Sequence, residues 1–180
     1  MEGLFTRLTE YGASEYYPFH MPGHKRNMPE EIGALREIAG LDITEIDGFD
    51  DLHAPDGILK EAQEKAAAVF GAEETFFLVN GSTAGILTAV SAAAPRGSRI
   101  IMARNCHKSV YHACFLRELE PVFLYPGTVP DYGIADCILP EQVEAALREY
   151  PEAKAVVLTS PTYDGVVSCL LYTSDAADDL

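Results

Sequence analysis

From residue 58 onward, apolar residues recur at helical spacing and then in short continuous runs, which predicts alternating helices and strands. Ile58, Ala62 and Val69 fall on one face of a helix over residues 58–70, and Gly71 is a typical helix stop. Further helices are expected over residues 83–94, 107–119 and 140–149, and strands over residues 75–79, 99–103, 121–125 and 155–159. Apolar strands with short links to helices indicate an α/β fold, with a mostly parallel sheet flanked by helices.

Residues 1–57 lack this regular alternation, and we interpret them as an N-terminal arm with loops. A short helix is expected at Glu30–Ala39, because apolar residues recur there at helical spacing. The segment Phe19–Arg26 carries Pro and Gly inside a His/Lys cluster, which indicates a loop. The pattern therefore divides the chain into this arm and a regular α/β part at residues 58–168.

Composition and charge exclude several classes of function. The 180 residues are 48% hydrophobic and 23% charged, which is ordinary for a globular protein. The net charge of -15 and the scattered basic residues argue against nucleic-acid binding. No run approaches the roughly 20 apolar residues of a membrane helix. The four cysteines match no zinc pattern, so we expect a reduced, cytoplasmic protein.

Polar residues follow the expected strands at the points where these strands end. Right-handed crossovers place such strand-to-helix turns at one edge of a parallel sheet, where α/β proteins bind ligands. The turn Asn80–Gly85 offers a flexible Gly81, the hydroxyls of Ser82 and Thr83, and a helix N-terminus, which together suit a phosphate. The alternative interpretation is an ordinary helix that Ser82 or Thr83 caps.

Two further turns would lie at the same edge. His107 begins the helix after the strand at residues 99–103, where its ring could lie flat against an aromatic cofactor or make only a local hydrogen bond. The turn Ser160–Gly165 follows the last strand, and Thr162 or Tyr163 could reach a bound ring. Its Pro and Gly alone would also explain a loop.

The N-terminal arm carries two other polar clusters. His20 and His24 could suggest a metal site with His53 or an aspartate, but an intervening Pro-Gly pair breaks the helix that would align their imidazoles. We favour a loop that lines an anionic pocket, or a plain surface loop. The acidic segment Asp47–His53 is expected to be a solvated loop, the functional alternative being a wall that meets cationic substrates.

As an ordered set, these motifs closely resemble the N-terminal part of the Orn/Lys/Arg decarboxylase family. The segments that carry the resemblance are Phe19–Asn27, Asp50–His53, Phe76–Gly85, Arg104–Ser109 and Thr159–Gly165. They lie within residues 15–168, and each is unspecific when taken alone. The resemblance implies part of the large domain of a fold-type I enzyme that uses pyridoxal phosphate.

The resemblance also implies roles for particular residues. The phosphate of pyridoxal 5'-phosphate is expected to be bound by Gly81, Ser82 and Thr83. The ring of His107 is expected to stack on the cofactor ring, and Ser160 and Thr162 are expected to lie beside that ring. The implied activity is decarboxylation of arginine, lysine or ornithine to an amine. A homodimer or larger homo-oligomer is implied as well.

The family's Schiff-base lysine, in a Ser-x-His-Lys context, has no counterpart in this sequence. Lys108 follows a histidine, but it matches the ring-stacking segment of the family. The resemblance therefore implies that this segment alone is inactive and has no catalytic residue of its own. Residues 169–180 resemble translated sequencing-adapter read-through, and we expect them to be a non-native tail.

Two other classes of function stay open at the level of sequence. A different pyridoxal-phosphate enzyme, such as an aminotransferase or an aldolase, would share the phosphate turn but would leave the His-Met-Pro-Gly-His segment unexplained. A non-catalytic module that binds a phosphorylated ligand or a protein partner would account for the missing lysine.

Overall fold

The computed structural model describes residues 3–168, which form two compact units that divide between Phe77 and Leu78. The expected tail at residues 169–180 lies outside the described residues. The domain boundaries predicted at residues 57 and 168 stay predictions. Within the described part of the chain, no helix is both long and apolar enough to cross a membrane.

Within its described residues, 3–77, the first unit contains three α-helices and one short 3-10 turn: α1 (Leu4–Ala13), the turn Glu30–Ile32, α2 (Ala34–Leu41) and α3 (Ile58–Phe70). The prediction that residues 1–57 are irregular missed α1. Its signal was present, because Leu4, Leu8 and Tyr11 recur at helical spacing. The helix α3 occupies the residues predicted for it and ends at Gly71 in the left-handed conformation.

The helix predicted at Glu30–Ala39 is wrong in its bounds, because Gly33 interrupts the helical conformation. This glycine has a φ of 47°, which an α-helix does not accommodate. The break lets α2 begin one residue later and pack against α1. The two helices approach so closely that a Cβ on Gly12 would lie 2.9 Å from the carbonyl oxygen of Gly40.

The second unit contains the sheet. Its elements are α4 (Gly81–Ala93), β1 (Arg99–Ala103), α5 (Lys108–Arg117), β2 (Glu120–Leu124), β3 (Thr128–Val129), β4 (Ile134–Ala135), α6 (Pro140–Glu149) and β5 (Val156–Val157). The strand order is β2-β1-β5, and both pairs are parallel. This confirms the predicted α/β fold. The small antiparallel pair of β3 and β4 was not predicted, because strands of two residues leave no periodic pattern.

The core of the second unit is centred on β1. Ile100, Ile101 and Met102 are fully buried, so this strand is covered on both faces. Helices α4 and α5 supply much of the covering, with Val90 from the former and Val110 from the latter. The continuous apolar run that predicted the strand is therefore the direct consequence of burial on both sides.

The strand predicted at residues 75–79 is not formed in the structure. Within the described residues, the sheet consists of β1, β2 and β5, and none of them pairs with this segment. Phe76 and Leu78 are 68% and 54% exposed. A strand is stabilised only when a neighbour accepts and donates its backbone hydrogen bonds, so apolar composition alone did not suffice here.

Candidate functional site

The carboxyl ends of β1, β2 and β5 lie at one edge of the sheet, because all three strands are parallel. The turn after β1 and the turn after β5 meet there through Cys106. Its thiol donates to the carbonyl oxygen of Val157 at 3.5 Å, and the Thr159 hydroxyl contacts its sulfur at 3.6 Å. Burial raises the pKa of the Cys106 thiol, which disfavours its reactive thiolate form.

The N-terminus of α4 belongs to the same edge. This helix reaches β1 through a short link, so it runs opposite to the strand and begins where the strand ends. By the same reasoning α5, which follows β1, also begins at this edge. The two helices pack against each other. The structure thus brings the turn at residues 80–83 and the turn at residues 104–107 to the same side of the sheet.

The first turn of α4 has the features of an anion site. The helix begins at Gly81, so Ser82 and Thr83 lie inside the first turn, and all three residues are exposed. The N-cap is Asn80, not Ser82 or Thr83, and its side chain makes no capping hydrogen bond with any described residue. Asn80 and Gly81 have φ values of 64° and 70°, which turn the backbone sharply into the helix. Backbone N–H groups at such a turn attract anions.

His107 is the N-cap of α5 and is exposed. Its Nδ1 accepts a hydrogen bond from the backbone N–H of Ser109 at 3.2 Å and lies 2.9 Å from the Ser109 hydroxyl oxygen. The local hydrogen bond considered from the sequence is therefore present. Ser109 itself is 1% exposed and was not singled out from the sequence, although its place two residues after an N-cap was a usable signal.

The turn after β5 uses its hydroxyl oxygens within the loop. The Val166 N–H donates to the Thr162 hydroxyl oxygen at 3.1 Å, and Thr162 is only 8% exposed. The Ser168 N–H donates to the Ser160 hydroxyl oxygen, also at 3.1 Å, while Ser160 is exposed. Thr162 thus shapes the loop, and Ser160 is the one of the two that is accessible to a ligand.

A buried acceptor lies in the turn after β1. The side-chain oxygen of Asn105 is inaccessible to solvent, and no described residue hydrogen-bonds to it. A buried carbonyl oxygen without a donor is unfavourable by about 1–3 kcal/mol. The turn that carries His107 therefore contains a polar group that a bound molecule could satisfy.

The His/Lys cluster of the first unit forms the expected loop, but its cations face the backbone. The Arg26 guanidinium donates to the carbonyl oxygens of Tyr11, at 2.8 Å, and Tyr16. The Lys25 ammonium donates to the carbonyl oxygen of His20. These contacts fix the conformation of the loop and hold it against the end of α1.

The two histidines of this loop also have local partners. His20 lies 2.6 Å from the Tyr11 hydroxyl, and His24 lies 3.3 Å from the Asp42 carboxylate. Among residues 3–168, no group of three or more His, Cys, Asp or Glu side chains is arranged to hold a metal ion.

Asp50 departs from the expected solvated acidic loop. Its carboxylate accepts hydrogen bonds from the backbone N–H groups of Asp51, Asp56, Gly57 and Leu59, at 2.8–3.1 Å. These bonds, that of Asp56 foremost, hold the pKa of the carboxyl well below its usual range. The side chain therefore organises the turn into α3.

The segment Asp47–His53, for which a wall that meets cationic substrates was the functional alternative, lines part of a cavity of about 360 Å³ in the first unit. Its lining combines apolar and acidic side chains, including Leu8, Phe49, Glu45 and Asp51. The Thr44 hydroxyl donates to Glu45 and lowers the pKa of that carboxyl. Contact of this segment with a cationic substrate stays an untested alternative.

Comparison with known proteins gives a family match across the chain. The family model described as "Orn/Lys/Arg decarboxylase, major domain" matches residues 2–179. An arginine decarboxylase of Bacillus subtilis is 40% identical over 171 residues, which are 93% of this chain and 35% of that protein. The constitutive lysine decarboxylase of Escherichia coli is 30% identical over 195 residues, or 97% of this chain and 26% of that protein.

A solved structure agrees with this family match. Lysine decarboxylase A from Pseudomonas aeruginosa superposes with a TM-score of 0.69 at 26% identity, covering 92% of this chain and 25% of that one. The chain spans about a third of the length of the curated Bacillus subtilis relatives that it matches. What it shares with them is therefore one portion of a longer architecture.

Proposed function

Because the chain belongs to the Orn/Lys/Arg decarboxylase family, we propose that the complete protein decarboxylates a basic amino acid with pyridoxal 5'-phosphate as cofactor. The observation that carries this proposal is that two helices, α4 and α5, begin at the same edge of the sheet. One offers the uncapped first turn of α4, and the other offers the exposed ring of His107.

The residues of this edge fit such a cofactor. The first turn of α4 presents backbone N–H groups, two hydroxyls and no acidic side chain, which suits a phosphate dianion. The buried Asn105 oxygen offers an acceptor in the neighbouring turn. A phosphorylated ring with polar substituents would match both.

In this proposal each side chain has a binding or orienting role. Gly81, Ser82 and Thr83 hold the phosphate, and the ring of His107 packs against the cofactor ring. Ser160 lies beside the cofactor, while Thr162 fixes the loop from which Ser160 extends. Bound pyridoxal phosphate supplies an electron sink for the bond that breaks as carbon dioxide leaves. The lysine that anchors the cofactor is expected in a Ser-x-His-Lys context further along the complete protein.

The substrate, the assembly and the cellular location belong to the same proposal. Curated relatives of this chain are an arginine decarboxylase and a lysine decarboxylase, so the substrate class is a basic amino acid, namely arginine, lysine or ornithine. We propose a cytoplasmic homodimer or larger homo-oligomer, which would place the reaction in polyamine biosynthesis.

The test begins with the complete coding sequence from a clean assembly of the source locus. We expect a Ser-x-His-Lys segment downstream of Ser168 and release of carbon dioxide from one of the three amino acids. The purified protein should show the visible absorption of a pyridoxal-phosphate imine. Replacing Ser82 and Thr83 together by Ala should weaken cofactor binding at least tenfold, because two hydroxyl contacts to a phosphate are lost.

The alternatives are distinguished by the same measurements. An imine band without carbon dioxide release would favour an aminotransferase or an aldolase. A natural stop codon soon after Ser168, with no imine band, would favour a non-catalytic binding module and contradict the proposal.

A further inference from the structure

The buried serine behind His107 has a role that the site residues alone do not reveal. Ser109 is 1% exposed, yet its hydroxyl lies 2.9 Å from Nδ1 of His107, which is exposed at the sheet edge. The backbone N–H of the same serine donates to the same nitrogen at 3.2 Å. The hydroxyl and the backbone N–H of Ser109 thus both contact the same ring nitrogen of His107.

The chemistry of these groups fixes where the imidazole proton lies. A backbone N–H can only donate, so its contact at 3.2 Å favours a lone pair on Nδ1, and the shorter contact of the hydroxyl at 2.9 Å strengthens that preference. The neutral ring then carries its proton on Nε2, the nitrogen away from Ser109. The buried hydroxyl also needs an acceptor for its own proton, and Nδ1 is the hydrogen-bond partner that the structure provides for it.

We propose that Ser109 is a positioning residue that sets the ring orientation of His107 and its Nε2-protonated tautomer. The hydroxyl limits rotation of the imidazole about its bond to the Cβ, because only one ring orientation brings Nδ1 over both donors. The role of the ring as a cofactor platform rests on the proposed function. The orientation and the tautomer do not, since they follow from contacts between the N-cap and the first turn of α5.

A first experiment tests the tautomer in the complete protein without cofactor. Ring-¹⁵N-labelled histidine is incorporated, and solid-state NMR reports which nitrogen of His107 carries the proton, with assignment from the His107→Phe variant. We expect the Nε2-protonated form in the wild type. In Ser109→Ala the backbone N–H remains, but the shorter contact of the hydroxyl is lost, so the Nδ1-protonated form should become populated as well. Ser109→Thr keeps a hydroxyl at this position and should restore the wild-type spectrum.

A second experiment connects the tautomer to cofactor binding. The dissociation constant for pyridoxal phosphate should rise about fivefold in Ser109→Ala, which corresponds to one lost hydrogen bond. Ser109→Thr should recover most of that loss. Ser98→Ala is the matched control, because its exposed hydroxyl donates to the Pro95 carbonyl at the opposite end of β1.

The outcomes separate this inference from the proposed function. An Nδ1-protonated His107 in the wild type, or an unchanged spectrum in Ser109→Ala, would overturn the positioning role whether or not the cofactor binds. Wild-type protein that shows the expected tautomer but does not bind pyridoxal phosphate would contradict the proposed function alone. Equal losses of stability in the Ala and Thr variants, without a spectral change, would show that Ser109 only packs.

Discussion

Two charged side chains of the first unit are directed at helix ends. The Asp50 carboxylate receives the N–H groups at the start of α3, where the helix dipole is positive. The Arg26 guanidinium donates to the Tyr11 carbonyl in the last turn of α1, where the dipole is negative, and lies over the Tyr11 ring. Each charge therefore complements the helix terminus that it contacts.

Replacing Asp50 by Asn should make the first unit easier to unfold at neutral pH, because an amide is a weaker acceptor for four N–H groups. The folded state lowers the pKa of this carboxyl, so its contribution is present above the unfolded pKa of about 4 and is lost as the pH falls below it. Urea midpoints of the wild type and the variant should therefore differ at pH 7 and converge towards pH 2.

Asp47→Asn is the matched control, since it removes the same charge from an exposed position in the same acidic segment. Its effect should stay within about 0.5 kcal/mol at both pH values. If the difference in urea midpoint between Asp50→Asn and the wild type does not become smaller towards pH 2, the role assigned to this carboxylate is contradicted.

At the scale of elements, α1 and α2 depend on a pair of glycines that occupy different environments. Gly12 faces the backbone of α2 at a distance that leaves no room for a side chain, while a Cβ on Gly40 would meet nothing within 4 Å. The two glycines lie in the last turns of their helices, so their helix propensities are comparable. The difference between them is therefore one of packing alone.

Gly12→Ala should destabilise the first unit by about 1–3 kcal/mol, because the added methyl group pushes the Gly40 carbonyl and separates the helices. Gly40→Ala should have the opposite sign and stabilise by up to about 1 kcal/mol through helix propensity. Thermal unfolding of the two variants provides the measurement. Effects of equal sign would show that the close approach at Gly12 is not a determinant of this packing.

Elements with a strong local signal were predictable from the sequence, and an element whose formation depends on a pairing partner was not. The bounds of β1 and α6 match the prediction residue for residue, because an uninterrupted apolar run and a Pro at a helix start are local signals. The segment at residues 75–79 has the same apolar character as β1 but lacks a pairing partner among the described strands. Pairing is a tertiary property that composition does not encode.

The candidate site was predictable in position more than in detail. Local turns placed Gly81 and His107 at the carboxyl edge, because the crossover rule fixes where such turns lie. The sequence did not show that Thr162 is directed into its own loop, or that Asn80 takes the N-cap position. These depend on backbone dihedral angles and burial, which follow only from the folded chain.

At the scale of the whole molecule, the described residues leave many large apolar side chains exposed. The run Phe76–Val79 is exposed at every position, between 39% and 68%. The strands β2 and β5 each have one side that pairs with no other described strand. Unpaired strands and contiguous apolar residues are the features that promote association of chains.

The 180-residue chain produced alone should therefore self-associate, and analytical ultracentrifugation should show a mass that rises with concentration. Replacing Phe76 and Leu78 by Ser should reduce the association. Phe5→Ser is the control, because Phe5 is 72% exposed but stands apart from this run in the sequence. A monomer at all concentrations would contradict the expected self-association. An equal reduction of association by Phe5→Ser would contradict the role of the run Phe76–Val79.

The central position of β1 in the sheet also affects the order in which its strand pairs can form during synthesis on the ribosome. Glu120 of β2 follows its partner Arg99 by about 20 residues, whereas Val156 of β5 follows Ile101 by about 55. The first pairing closes the shorter loop and can form while synthesis continues, but one side of β1 must wait for β5 to emerge. During that interval the most apolar strand of the unit has one open hydrogen-bonding side, which is a feature that promotes association of nascent chains.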